Sequence, residues 1–267
     1  MRFSGKYADY EYYDNKGKGL PIVLFHGFTG TSGTWEHFIN SAIDRRVITI
    51  DLPGHGKTVS KSAVTMEQFS DDLQSLLYEQ GIDLYHLVGY SMGGRTALFH
   101  TCAHPESIQS LTLESSSPGI AVEKERAARI ASDEQLAERI LTRGVKAFVD
   151  DWENIPLFKS QKMLSEKIRE TIRNERLNQT KEGLAASLRG MGTGTQRSLW
   201  EELNKLPMPV LLLAGELDEK FVHIAQQMEK RLLNSKMIII PDVGHAIHVE
   251  NPSKFDKVVL EFVTACT

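Results

Sequence analysis

Residues 89–95 read GYSMGGR, a serine between glycines that follows the apolar run LYHLV and precedes the helix-favouring GGRTALFHTCAHP. In a G-x-S-x-G pattern set between strand and helix, a sharp turn lifts the serine hydroxyl clear of the sheet edge. Gly89 and Gly93 permit that turn because a side chain at either would collide with the adjoining strand or helix. Ser91 is therefore the first candidate for chemistry. Its hydroxyl needs a base, and the base needs a carboxylate that holds its tautomer and stabilises its cation. On such a scaffold both come from later strand ends, acid before histidine. Asp218 stands just beyond PVLLLAGEL and His245 just beyond MIIIPDVG. Glu216 and Asp242 lie nearby, but Asp218 sits in the loop past the strand end, whereas Asp242 suits a turn. His248 reads as local packing, and His104, before Pro105, as a helix end.

A developing oxyanion needs backbone donors, and HGFTGTSGTW (26–35), a glycine-rich loop after the apolar IVLF, is placed to supply one. The expected pair is the N–H of Phe28 with that of Met92, the residue after the serine. DLPGHGK (51–57) reads as an architectural turn. It lacks the third glycine and helix opening of a dinucleotide fingerprint.

These residues need a rigid frame, and the hydrophobic rhythm describes one. Short Val- and Ile-rich runs at 22–25, 47–52, 84–89, 110–115, 209–215 and 237–241 have the character of buried parallel strands. Helical patterns intervene, as in MEQFSDDLQSLLYEQG, where Phe69, Leu73, Leu76 and Leu77 share one face and Gly81 follows as a stop. From Pro118 to Trp200 the strand runs vanish and charged helical sequence takes over. The expectation is an α/β fold with a mostly parallel sheet, residues 1–117 and 201–267 forming the core and 118–200 a helical cap.

Composition limits the partners. The chain has 267 residues, 41% hydrophobic and 25% charged, with a net charge of -4. That balance offers no basic footprint for nucleic acid. No stretch reaches the roughly 20 apolar residues of a membrane span, and the N-terminus lacks the apolar core of a secretory signal, so a cytoplasmic, soluble protein acting on a small molecule is expected. Cys102 and Cys266 read as reduced packing residues. The histidines show no ligand-spaced cluster, and neither metal nor organic cofactor is implied. Oligomeric state is not legible.

Together, HGFTG, DLPGHGK, GYSMGGR, LESSSPGI, the AAR of the cap, AGELDEKF and GHAIHVENP resemble the α/β-hydrolase superfamily over nearly the whole chain. More narrowly they resemble the 2-succinyl-6-hydroxy-2,4-cyclohexadiene-1-carboxylate synthases of menaquinone biosynthesis. That resemblance implies a lyase, which eliminates pyruvate from an enolpyruvyl-bearing cyclohexene carboxylate. It also implies cap arginines at the site. Arg129, in EKERAAR, matches one; Arg176 matches a second if GLAA sets the register, and Arg173 if Trp152 does. Tyr90 and Trp152 resemble the family's site aromatics. The residues themselves agree that carboxylates are wanted: the insertion carries 15 Lys and Arg against 12 Asp and Glu, the rest of the chain 16 against 23. Arg95, at the start of the helix after Ser91, is a cation that a simple esterase does not need.

Two chemistries fit this set. In elimination, Ser91 activated by His245 and Asp218 acts as a base toward a proton alpha to a carbonyl. In hydrolysis by an esterase, thioesterase or carbon–carbon hydrolase, it attacks and is acylated. Dehalogenase and epoxide hydrolase chemistry would ask for an aspartate at position 91. A non-enzymatic ligand receptor is a third reading, since fold alone does not decide function.

Overall fold

The computed structural model describes all 267 residues. Its strands are β1 (Arg2–Ser4), β2 (Ala8–Asp14), β3 (Lys18–Phe25), β4 (Arg45–Ile50), β5 (Val59–Ser60), β6 (Tyr85–Tyr90), β7 (Ile108–Glu114), β8 (Val210–Gly215) and β9 (Ser235–Ile240). The helices are α1 (Glu36–Ser41), α2 (Met66–Glu79), α3 (Met92–Ala103), α4 (Glu123–Trp152), α5 (Glu166–Leu177), α6 (Lys181–Met191), α7 (Glu219–Glu229), α8 (Ile247–Glu250) and α9 (Pro252–Ala265). The sheet order is β1-β2-β4-β3-β6-β7-β8-β9, with β5 paired to β2. From β4 to β9 every neighbouring pair is parallel.

The six apolar runs of the sequence are these parallel strands. Those inside the sheet are largely buried on both faces and show no alternation, β6 being buried at every residue, whereas β9, at the edge, is only partly buried. The antiparallel strands β1, β2 and β5 at one side of the sheet were not among the expected runs. β2 pairs antiparallel with β4 and alternates buried with exposed residues, and it lies in the stretch read only as polar and aromatic. α2 begins with a capping box between Thr65 and Gln68 and buries Phe69, Leu73, Leu76 and Leu77. Gly81, at φ +67°, follows its end.

Helices cover both faces. α2 and α3 enclose the larger apolar cluster, around Tyr10, Phe25 and Leu98, and α1 and α9 the smaller, around Trp35, Phe38 and Phe255. Between β7 and β8 the chain is helical, as expected, and carries its own small core of Ala137, Ile140, Phe148, Val149, Leu184 and Leu188. α4 breaks at Gly144, whose φ of +80° is not helical. This block sits directly on the core: a Cβ on Gly54 would fall 2.2 Å from the Gly183 carbonyl oxygen at the start of α6. No helix is long and apolar enough to cross a membrane. Cys102 and Cys266 are free, and burial pushes the Cys102 thiol up to about 11.

Candidate active site

The strand order reverses between β3, which runs on to β4 at one side, and β6 at the other, so the loops after β3 and β6 leave a crevice at their carboxyl ends. Phe25 and Gly89 are in register there. The turn at Ser91 is as tight as its glycines suggested. A Cβ on Gly93 would lie 2.3 Å from the Phe25 carbonyl oxygen, and one on Gly89 2.4 Å from that of Gly93. Ser91 itself has φ +51°, a conformation costing about 1–3 kcal/mol that must be held from outside. Its N–H donates to the Glu114 carbonyl (2.9 Å), and its own carbonyl accepts from Arg95 N–H (3.0 Å).

The structure brings the three separated residues together. Ser91 Oγ lies 2.9 Å from His245 Nε2, and His245 Nδ1 lies 2.6 Å from Asp218 Oδ2. His245 is 1% exposed and Asp218 8%, so the pair works away from bulk water. Glu216 accepts from Asp242 N–H and takes no part. Tyr90 and Phe221 pack on the imidazole, with ring centres at 5.3 and 4.7 Å. Burial, reinforced by Glu114, holds the Tyr90 phenol well above its usual range, so it stays neutral.

Phe28 N–H has no acceptor in the protein, and Met92 N–H, first in α3, has no intrahelical one. Two buried histidines support the Phe28 loop. His26 Nε2 accepts Leu52 N–H (2.9 Å), and His55 Nε2 accepts Thr29 N–H (3.2 Å). Burial, with His26 adding, pushes His55 down to about 3, which keeps it a neutral acceptor. DLPGHGK is thus a brace for the loop.

Ser91 opens into a cavity of about 520 Å³ beneath the helical insertion, within the usual range for small-molecule sites. Phe28, Tyr90, Met92, Arg95, Arg129 and Trp152 all line it. Arg95 is 8% exposed; it donates to Gln196 Oε1 and to the Met191 carbonyl, both at 2.9 Å, leaving three of its five N–H groups unused. Burial, with Arg129 adding and Asp133 opposing, pushes its guanidinium below its ordinary value, a strain that a bound anion would relieve. Arg129 donates from Nε to Asp133 (2.8 Å) and keeps its terminal nitrogens free. Trp152 stacks edge-on against Phe28, and its buried indole N–H has no acceptor in the protein.

Arg176 does not line this cavity. It is buried in a smaller neighbouring one that shares Phe28, Tyr90 and Phe158, with its guanidinium 4.5 Å from the Phe158 ring centre. Arg173 is turned away, paired with Asp150 and Glu153. His248 is packed against Trp35 and Tyr90 and bonded to Glu114. His104 directly follows the end of α3.

Sequence reasoning missed several lining residues. Lys220 and Phe221 follow Asp218 by less than one turn of α7, a spacing that could have flagged them. Phe158, Asp133 and the Arg95 partner Gln196 carried no local signal, because only the docking of the insertion brings them to β6.

The α/β-hydrolase fold model matches residues 21–252. A Bacillus subtilis (strain 168) protein, provisionally named a 2-succinyl-6-hydroxy-2,4-cyclohexadiene-1-carboxylate synthase, is 46% identical over 248 residues, covering 91% of this chain and 90% of its own. The structure of MenH from S. aureus superposes with a TM-score of 0.92 at 39% identity, covering 96% of this chain and 98% of that one. A thermophilic esterase from Thermogutta terrifontis, solved with malate bound, superposes with a TM-score of 0.89 at 26% identity over 100% of this chain and 99% of its own.

Proposed function

Because this chain belongs to the α/β-hydrolase fold and, within it, to the 2-succinyl-6-hydroxy-2,4-cyclohexadiene-1-carboxylate synthases, we infer that it is the pyruvate-eliminating lyase of menaquinone biosynthesis. It converts 2-succinyl-5-enolpyruvyl-6-hydroxy-3-cyclohexene-1-carboxylate to the cyclohexadiene product and pyruvate. The observation that carries the assignment of roles is a buried arginine, Arg95, in the same cavity as a serine within 2.9 Å of a carboxylate-held histidine.

In this reading His245, steadied by Asp218, takes the Ser91 proton, and the serine oxygen removes the proton alpha to the succinyl carbonyl. The C–H electron pair moves to the carbonyl oxygen, where the N–H groups of Phe28 and Met92 hold the negative charge. Its return through the ring breaks the carbon–oxygen bond to the enolpyruvyl group, which leaves, gains a proton and ketonises to pyruvate. Arg95 and Arg129 anchor carboxylates, and Tyr90 and Trp152 pack the ring. Arg176 acts from the adjoining cavity, behind Phe158. The polycarboxylate nature of the substrate, the cytoplasmic location and the division into a core (1–117, 201–267) and a cap (118–200) belong to the same proposal. A bond from Leu199 N–H to the Pro118 carbonyl (2.8 Å) supports the cap's base.

The test supplies freshly generated enolpyruvyl substrate and follows pyruvate together with diene absorbance, beside a panel of simple esters. The lyase is expected to form both products. Ser91→Ala should lower kcat by about 10²–10⁴ through loss of the base, and Arg95→Ala should raise KM by about ten- to a hundredfold through loss of a charge-assisted bond. The likeness to the Thermogutta esterase favours one second reading, ester hydrolysis. Ester cleavage with a mass-detected acyl group on Ser91, and no pyruvate, would establish it instead.

A further inference from the structure

Thr29 has φ +72°, a left-handed conformation that a β-branched residue adopts only when its surroundings impose it. His55 and, from the insertion, Gln179 hold Thr29 itself, and Glu175, also from the insertion, holds Thr31 two residues on. His55 takes the Thr29 N–H, as described. Gln179 Nε2 donates to the carbonyls of Thr29 and of Gly30, both at 3.2 Å, and Gln179 Oε1 accepts Gly56 N–H at 3.0 Å. Glu175 Oε1 accepts both the N–H (2.9 Å) and the hydroxyl (2.6 Å) of Thr31. Glu175 lies in the last turn of α5, and Gln179, which is buried, lies two residues past its end. Gln179 therefore bridges two core loops, the one carrying Phe28 and the one carrying His55.

We propose that Gln179 and Glu175 are positioning residues for the oxyanion donor: the cap, through them, sets the backbone angle at which the Phe28 N–H faces Ser91. The Phe28 N–H lies one peptide unit before the bond that joins Phe28 to the strained Thr29, so holding Thr29 at both its N–H and its carbonyl fixes the course of the chain through Phe28 and limits the tilt of that donor. Its ring is held from the same side, edge-on to Trp152 and Phe148. Seating the cap and completing the oxyanion hole are one event. The inference rests on the placement of the donors at Phe28 and Met92, and not on which substrate is turned over.

Two variants separate the parts. Gln179→Met keeps the length and removes all three bonds. Gln179→Glu keeps the acceptor for Gly56 but presents oxygen, not N–H, to the Thr29 and Gly30 carbonyls, and its near-identical size preserves packing. Both are expected to lower kcat about ten- to a hundredfold with KM changed less than about threefold, the cost of a misplaced donor. Both should weaken phenylboronic acid, whose adduct on Ser91 puts an oxygen in the hole, by a similar factor. Unchanged kcat and boronate affinity in Gln179→Glu, or a loss carried by KM alone, overturns the proposal. If the wild-type protein binds boronate yet yields no pyruvate, the lyase reading falls, and the boronate affinities still decide the role of Gln179.

Discussion

Glu114 joins the two halves of the catalytic geometry with one residue. Its carbonyl takes the Ser91 N–H (2.9 Å), while its fully buried carboxylate takes His248 N–H at 3.1 Å and His248 Nδ1 at 2.9 Å. His248 is three residues from His245, so the serine turn and the histidine loop are referred to the same strand end. Glu114→Ala should cost about 1–3 kcal/mol in urea denaturation, because it leaves the buried His248 backbone and ring donors without their acceptor. At this scale the sequence was informative where a turn imposes a local pattern. Ser91, Asp218 and His245 could be named because each stands at a fixed offset from an apolar run. Glu114 closes a run of the same kind, but nothing in LTLES distinguishes a carboxylate pointing inward from one in solvent. Gln196 and Gln179 are as silent, since an amide's value depends on what it faces.

Among the elements, the interior parallel strands were legible because burial on both faces removes alternation, and the edge strand β9 because of its unbroken run of Met237 to Ile240. The N-terminal hairpin was not, though ADYEYYD alternates, because its tyrosines and acids read equally as a polar leader. The last residue of β2, Asp14, is buried and pairs with Arg46 of β4 at 2.7 Å and with Lys16 at 2.8 Å. Burial opposes ionisation of that carboxyl, but its bonds to Arg46 and Lys16 outweigh burial and hold it below its ordinary value. A depressed carboxyl stabilises the fold above the unfolded-chain value and loses that contribution as pH falls through the folded one. Asp14→Asn should therefore lower stability by about 1.5–3 kcal/mol at pH 7. The gap to wild type should close on acidification below the ordinary carboxylate range, which thermal melts across pH would reveal.

For the molecule as a whole, charge is divided unevenly: a net-acidic core carries an insertion in which bases exceed acids. Arg95, Arg129 and Lys220 face the cavity, with Asp133 as the opposing carboxylate. A polyanionic substrate drawn to that field should show KM rising about three- to tenfold between low salt and 0.5 M NaCl, with kcat nearly constant. Salt-independent KM would argue that the arginines serve structure alone. The alternating strand and helix periods, the glycine-bounded serine and the places of acid and histidine just past later strands were legible in sequence alone, because each is marked by a pattern within a few residues. Tertiary structure alone decided which arginine shares a cavity with Ser91 and which lies behind Phe158. It also decided that the Gln179 side chain, 150 positions along the chain from Thr29, grips the loop that carries Phe28. Those outcomes depend on how the insertion docks, and docking is settled by side-chain packing between distant segments, which no local pattern encodes.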